Sequence, residues 1–279
     1  MITRRDLGRL ALAAPVWTLF AKPNSKVSGV TIGAQSYSFR DRPLEAAISG
    51  IAAAGLSCCV LWQGHVEPRR VSREEMRKWR TSVPLRHFEE IRRKFKQAGI
   101  RIYAYYYSFR DDFTDAEIAR GFEMAKALGV KYLEASSNVT TARRINPFAA
   151  RANMLVGMHN HAELVANEFA RPEDFESAMQ GMSHIRINLD IGHFVAVGFD
   201  PLEFIRKHHR EIITIDVKDR NRERANLPFG QGVTPIREVL QLLKTARYRI
   251  PAMIEYEYKG GDAVDEVRKC YEYCKQALV

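Results

Sequence analysis

The sequence predicts a single closed (β/α)8 barrel, and three observations carry that prediction. Beyond residue 27, short apolar runs alternate with amphipathic segments about eight times in one pass, the number of βα units that closes a barrel. Helical segments stop at Gly55, Gly99 and Gly129, where a left-handed C-terminal cap is expected before the next strand. Four of the β-runs end in an acidic residue, and the carboxyl ends of parallel strands are where α/β proteins place their ligands. A doubly wound open sheet is the competing architecture. It needs fewer units, and no Gly-x-Gly-x-x-Gly follows the first strand.

The elements follow in order. Residues 30–36 read as the first strand and 43–54 as an alanine-rich helix stopped by Gly55. Residues 57–62 are a second β-run. The charged stretch 65–81 is too long for a bare loop and predicts a short helix of its own over the barrel mouth. An amphipathic helix over 83–98 leads to a strand over 100–107, and Thr114 caps a helix that runs to Leu128. A strand over 131–135, a looser segment through Asn153 and a strand over 154–160 come next. Helices over 172–180, 201–209, 235–246 and 262–277 alternate with strands over 185–190, 212–217 and 250–256. No linker or composition shift marks a second domain, so residues 27–279 form one barrel.

Composition bounds the function. Hydrophobic residues make up 46% of the chain, enough for a full core, and no run is long enough for an internal membrane span. The net charge is +10, but the basic stretches are mixed with acids and lack interleaved aromatics, so a solvated face rather than a nucleic-acid partner is expected. Residues 1–26 read as an export signal and short linker. Arg4 and Arg5 form a twin-arginine pattern before an apolar stretch from Leu10 to Phe20, which predicts a periplasmic or secreted protein without stable membrane insertion after processing. The alternative is a cytoplasmic protein with an N-terminal helix. Cys58, Cys59, Cys270 and Cys274 read as small core residues, a Cys270–Cys274 bridge being unfavoured by helix geometry.

The four strand-terminal acids are Glu134, Asp190, Asp216 and Glu255. Acids crowded together repel unless a cation neutralises them, so the pattern predicts one divalent ion, Mn²⁺ or Mg²⁺ for an all-oxygen site. His159 and His161 share one face of their strand, and His193 follows Asp190 by three residues, so these histidines are candidates for substrate or metal-water contact. Lys218 stands two residues after Asp216, placed to steady a developing oxyanion or to pair with the carboxylates. Gln63, Tyr106 and Arg220 are further substrate-binding candidates. His208 and His209, late in a basic helix, are expected to face solvent, and the glycines after Pro228 suit a folded lid.

Together these motifs resemble the xylose isomerase-like TIM barrels, the sugar phosphate isomerase/epimerase superfamily. The likeness covers nearly all of residues 27–279 and is strongest at Gly157-Met158-His159-Asn160-His161, Leu189-Asp190-Ile191-Gly192-His193, Val217-Lys218-Asp219-Arg220, Pro228-Phe229-Gly230-Gln231-Gly232 and Ile254-Glu255-Tyr256-Glu257-Tyr258. The resemblance implies a divalent ion held by Glu134, Asp190, Asp216 and Glu255, with Glu134 and Glu255 moving a proton between adjacent sugar carbons. It also makes a homodimer compatible with the chain. One position departs from the family pattern: Asp216 stands where a histidine is usual, adding negative charge and a shorter reach. The endonuclease branch needs further histidines where this chain has Gln63, Tyr106 or Tyr107, and Arg224-Ala225-Asn226, so DNA repair is set aside. The reaction implied is isomerisation or epimerisation of a small carbohydrate. A lyase or hydrolase of 3-keto-glycosides is the alternative, followed by a non-catalytic sugar-binding barrel.

Overall fold

The computed structural model describes residues 24–279. Eight parallel strands make the barrel: β1 (Val30–Gln35), β2 (Cys58–Trp62), β3 (Arg101–Tyr106), β4 (Tyr132–Ala135), β5 (Leu155–His159), β6 (Ile185–Asp190), β7 (Ile212–Val217) and β8 (Ala252–Ile254). Each pairs with its neighbour in sequence, and β8 pairs with β1 to close the ring. A closed ring has no exposed strand edge. At Gly33 a side chain would run into Met253 and the Cys58 carbonyl, so the barrel interior requires glycine there.

Ten helices surround the described barrel: α1 (Leu44–Ala53), α2 (Arg73–Ser82), α3 (Arg86–Gln97), α4 (Asp115–Leu128), α5 (Val139–Ala152), α6 (Pro172–Met179), α7 (Ile191–Ala196), α8 (Pro201–His208), α9 (Ile236–Thr245) and α10 (Ala263–Leu278). Their inward stripes form the main core. On α3 the buried residues are Phe88, Ile91 and Phe95, spaced as one helical face, with charged residues around the rest. The cysteines are all buried and free, so no Cys270–Cys274 bridge forms. None of the helices described is long and apolar enough to cross a membrane.

Three expectations need correction. The looser segment before Asn153 is the 14-residue helix α5, capped by Asn138, whose side chain accepts from the Thr141 N–H. Pro147 and a buried face of small residues (Thr141, Ala142, Ala149) hide its periodicity. His208 is buried, its ring 4.5 Å from that of Phe204, and His209 stacks on Tyr248 at 4.3 Å, because α8 turns its basic end onto its neighbours. Among the described residues, Ser25 is buried with its hydroxyl donating to the Ile32 carbonyl, and Lys26–Val27 pairs antiparallel with β1. The strand expected over 250–256 is only three residues long, leaving Glu255 just past its end. The twin-arginine and apolar segments lie outside the described residues.

The charged stretch after β2 does carry its own helix, α2, and buried charge fixes it to the barrel. Arg80 grips Glu67 through two bonds of 2.7 and 2.8 Å, both side chains buried. Glu117, at the start of α4 and fully buried, receives Arg73 at 2.7 Å and Arg77 at 3.2 Å across the gap from α2. Burial alone would raise the Glu117 carboxyl, but bonds from Arg73 and from the Thr114 N–H outweigh it and hold it at about 2. We expect Glu117→Gln to cost about 3 kcal/mol of stability at neutral pH, since it removes the buried charge on which Arg73 and Arg77 converge. A depressed carboxyl stabilises the fold above its ordinary value of 4.5 and loses that contribution as pH falls toward about 2. The gap between wild type and variant in denaturant unfolding should therefore narrow across that window.

Candidate active site

The carboxyl ends of the strands surround a cavity of about 500 Å³. Register sets the floor. Asp190 on β6 pairs beside Asp216 on β7, and His159 on β5 beside Asn188 on β6. Alternation then stacks Thr214, Asp216 and Lys218 on one face of β7, and Asn188 with Asp190 on β6.

A lower layer is fully hydrogen-bonded. The Gln35 amide donates to Glu134 at 2.9 Å and to Asp216 at 2.8 Å. Thr214 donates its hydroxyl to the other Glu134 oxygen. Asn188 donates to Asp216 and to Thr214, each at 3.0 Å, which leaves its oxygen to accept from His159 Nδ1 at 2.8 Å. The ring therefore keeps Nε2 free. Burial pushes the Glu134 carboxyl up to about 8, with the charge of Asp216 adding to it. His159 goes the other way from what burial dictates: its contact with Asp216, 3.3 Å away, raises it to about 9.

The upper layer centres on Lys218, whose Nζ lies 2.6 Å from Glu257, 3.0 Å from Glu255 and 3.1 Å from Asp190. His193 Nε2 is 3.1 Å from the same ammonium, while Arg220 reaches its Nδ1 at 2.7 Å. Burial holds the His193 ring neutral, and the surrounding cations reinforce this against Asp190. Asp190 caps α7 through the His193 N–H, and burial opposes its charge, but the positive groups beside it keep the carboxyl well below the usual range. Glu255 is pushed up to about 7 by burial, which Lys218 only partly offsets. Asp190 Oδ2 and Glu255 Oε2 are buried with no aligned hydrogen bond, Lys218 being near both as a charge.

One wall is aromatic, with Tyr37 edge-on to Trp62 at 5.0 Å. Another is a polar chain: Tyr106 Oη to Ser136 Oγ at 2.7 Å, then Ser136 to His161 Nε2 at 3.0 Å. Burial and the charge of His159 push His161 down to about 3, so it is a neutral imidazole. The loop after β7 is folded over by Asp219, whose carboxylate accepts from the N–H groups of Gly230, Gly232 and Thr234. A side chain at position 232 would collide with that carboxylate, which is why the loop carries glycine there.

The predicted residues fall into three groups. Tyr106, His159, His161, His193, Lys218, Arg220 and Glu255 line the cavity, while Asp190 and Asp216 lie buried at its floor. Glu134 sits in the lower layer with both oxygens engaged. Gln63 is not on the cavity surface: its amide bridges Glu67 and the Ser108 N–H. Ligand atoms within 4.8 Å of one another come from His159, Asp190 and His193, and from His159, Asp216 and Glu255; neither group contains Glu134. Imidazole nitrogen with carboxylates and two unbonded buried oxygens fits a divalent transition ion better than an all-oxygen cage would. Gln35, Asn188, Thr214, Ser136, Asp219 and Glu257 were missed as functional residues. Following the alternation inward from Asp190, Asp216 and Glu255 would have found Asn188, Thr214 and Glu257.

The xylose isomerase-like TIM-barrel family model matches residues 50–276. Among solved structures, 3-keto-D-glucoside 4-epimerase from E. coli superposes with a TM-score of 0.66 at 12% identity, over 88% of this chain and 99% of that one. A sugar phosphate isomerase/epimerase from Parabacteroides distasonis gives 0.63 at 18% identity, over 90% and 97%. The IOLI protein, solved with a zinc atom bound, gives 0.67 at 14% identity, over 89% and 98%. At such identities the likeness is one of fold. No curated protein sequence matches the chain.

His159 belongs to both candidate ligand groups, so His159→Ala should weaken zinc binding at least about tenfold in calorimetric titration. Glu134→Gln should leave it within about threefold, since both Glu134 oxygens are already used.

Proposed function

The chain belongs to the xylose isomerase-like TIM-barrel family, and from that premise we propose that it is a divalent-metal-dependent sugar isomerase or epimerase that moves a proton at the carbon beside a carbonyl. The observation that carries this reading is Glu255, a buried carboxyl that lines the cavity beside His159 and Asp216 and is placed to act as a general base. His159 would hold the ion, together with either Asp190 and His193 or Asp216 and Glu255. A bound divalent ion supplies a Lewis acid for the carbonyl oxygen.

The chain's own groups do the rest. Glu255 takes the proton from the carbon. Glu134, below the floor, does not reach the cavity surface, so Glu255 also returns the proton to the neighbouring carbon, while His161, bonded through Ser136 to Tyr106 on another wall, orients sugar hydroxyls. Tyr37 and Trp62 offer an apolar face to a sugar ring, while Arg220 and Asn226, bonded to each other at 2.8 Å, present polar groups to hydroxyls. The ring hydroxyls of a small carbohydrate match this mixture, and export through the twin-arginine route would favour an unphosphorylated one.

Elimination from a 3-keto-glycoside shares the first proton transfer, and the protonated Glu255 would then give that proton to the leaving oxygen. Proton NMR in D₂O over a panel of ketoses, aldoses and 3-keto-glycosides, with zinc- or magnesium-loaded protein, tests both. Deuterium beside the carbonyl of an intact sugar is the expected result, and Glu255→Gln should slow its appearance by about 10²–10⁴-fold. Exchange with release of the aglycone would favour elimination. No exchange with any sugar would sink the proton-transfer reading.

A further inference from the structure

Three carboxyl groups, those of Asp190, Glu255 and Glu257, surround Lys218, which has only 3% of its side chain exposed, and Glu134 and Asp216 lie in the layer below. Its Nζ sits 3.0 Å from Glu255 Oε2 and 3.1 Å from Asp190 Oδ2, two buried carboxylate oxygens without an aligned hydrogen bond. Those are also oxygens that a metal ion would draw on, at about 2.0–2.2 Å each. An ammonium and a divalent ion cannot both occupy so small a space, since like charges a few ångströms apart in a buried site repel strongly.

We propose that Lys218 is the resident counter-ion of this oxygen cage and competes with the divalent ion for it, with Glu257 as the place to which the ammonium withdraws. This rests on the metal-dependent reading above. The backbone of Lys218 cannot move far: it packs against Gly192, where an added Cβ would lie 2.6 Å from the Lys218 carbonyl oxygen and 3.0 Å from its Cβ. The flexible four-carbon stem is therefore the part that moves. Glu257 already makes the shortest contact to Nζ, 2.6 Å, and it is the more exposed end of the cluster, with 21% of its side chain open to the cavity. Withdrawal toward Glu257 frees Asp190 and Glu255 while keeping the ammonium paired. In the absence of an ion, the same ammonium keeps the acids from repelling one another apart.

Calorimetric titration of the full chain with zinc and with manganese tests the competition. Lys218→Met should bind either ion at least tenfold more tightly than wild type, because the competitor is gone. Glu257→Gln should weaken binding, and the loss should vanish in the Lys218→Met background, where no ammonium needs a retreat. If Glu257 acted only as one more negative charge, its loss would cost the same in both backgrounds, and the retreat would be wrong. Should Lys218→Met fail to fold, Lys218→Gln, which can still bond to the carboxylates, is held to the same expectation. A wild type that binds the ions with lysine variants that bind no tighter overturns the competition and leaves the metal reading standing. No binding by any variant overturns both.

Discussion

Crowding of acids is what the rest of the mouth is built around. Asp190, Asp216, Glu134 and Glu255 are buried within a few residues of the strand ends, and buried like charges are unstable unless each is bonded, protonated or paired. The chain uses all three remedies in separate layers. Below, side-chain amides and a hydroxyl from Gln35, Asn188 and Thr214 satisfy Glu134 and Asp216, and Glu134 is pushed toward its neutral form. Beside them His159 pairs with Asp216. Above, Lys218 faces Asp190, Glu255 and Glu257. Only in the upper layer do carboxylate oxygens remain without aligned hydrogen bonds, so that is where the arrangement has capacity for another cation.

That constraint explains which parts of the site the sequence made legible. Strand order, helix caps and strand-end acids are local signals, so the barrel and the position of Asp190, Asp216 and Glu255 follow from periodicity. Whether a strand-end residue is a floor or a wall is not local. Glu134 and His159 both end strands, yet β4 leaves its glutamate under Gln35 while β5 turns its histidine toward Asp216. Gln63 was equally plausible at the mouth, but the ion pair of Glu67 and Arg80 draws its amide into the insert after β2. Glu134 depends on Gln35, 99 residues away, and Gln63 on Ser108, 45 residues away, which no short window contains.

Helix α5 illustrates the same limit at the level of the fold. Its cap is legible, since Asn138 precedes Thr141 at the right spacing, but Pro147 and a small-residue face suppress the amphipathic pattern. The helix persists because its buried residues, Ala142, Ile145 and Ala149, complete the layer outside the barrel beside α4 and α6. Tertiary packing overrides local propensity there.

The departure at position 216 has a physical counterpart in the same cluster. Aspartate at position 216 puts a negative charge at a crowded floor. The His159 imidazole lies 3.3 Å from Asp216 and carries compensating positive charge. The two positions therefore behave as one unit: neither an aspartate without the histidine nor the histidine without its carboxylate would leave the floor balanced. Asn188 makes the coupling directional, because it bonds both partners and thereby turns His159 Nε2 toward the cavity. The floor holds an imidazole and an anionic oxygen side by side, so aspartate at 216 alone is no argument that the metal site has been lost.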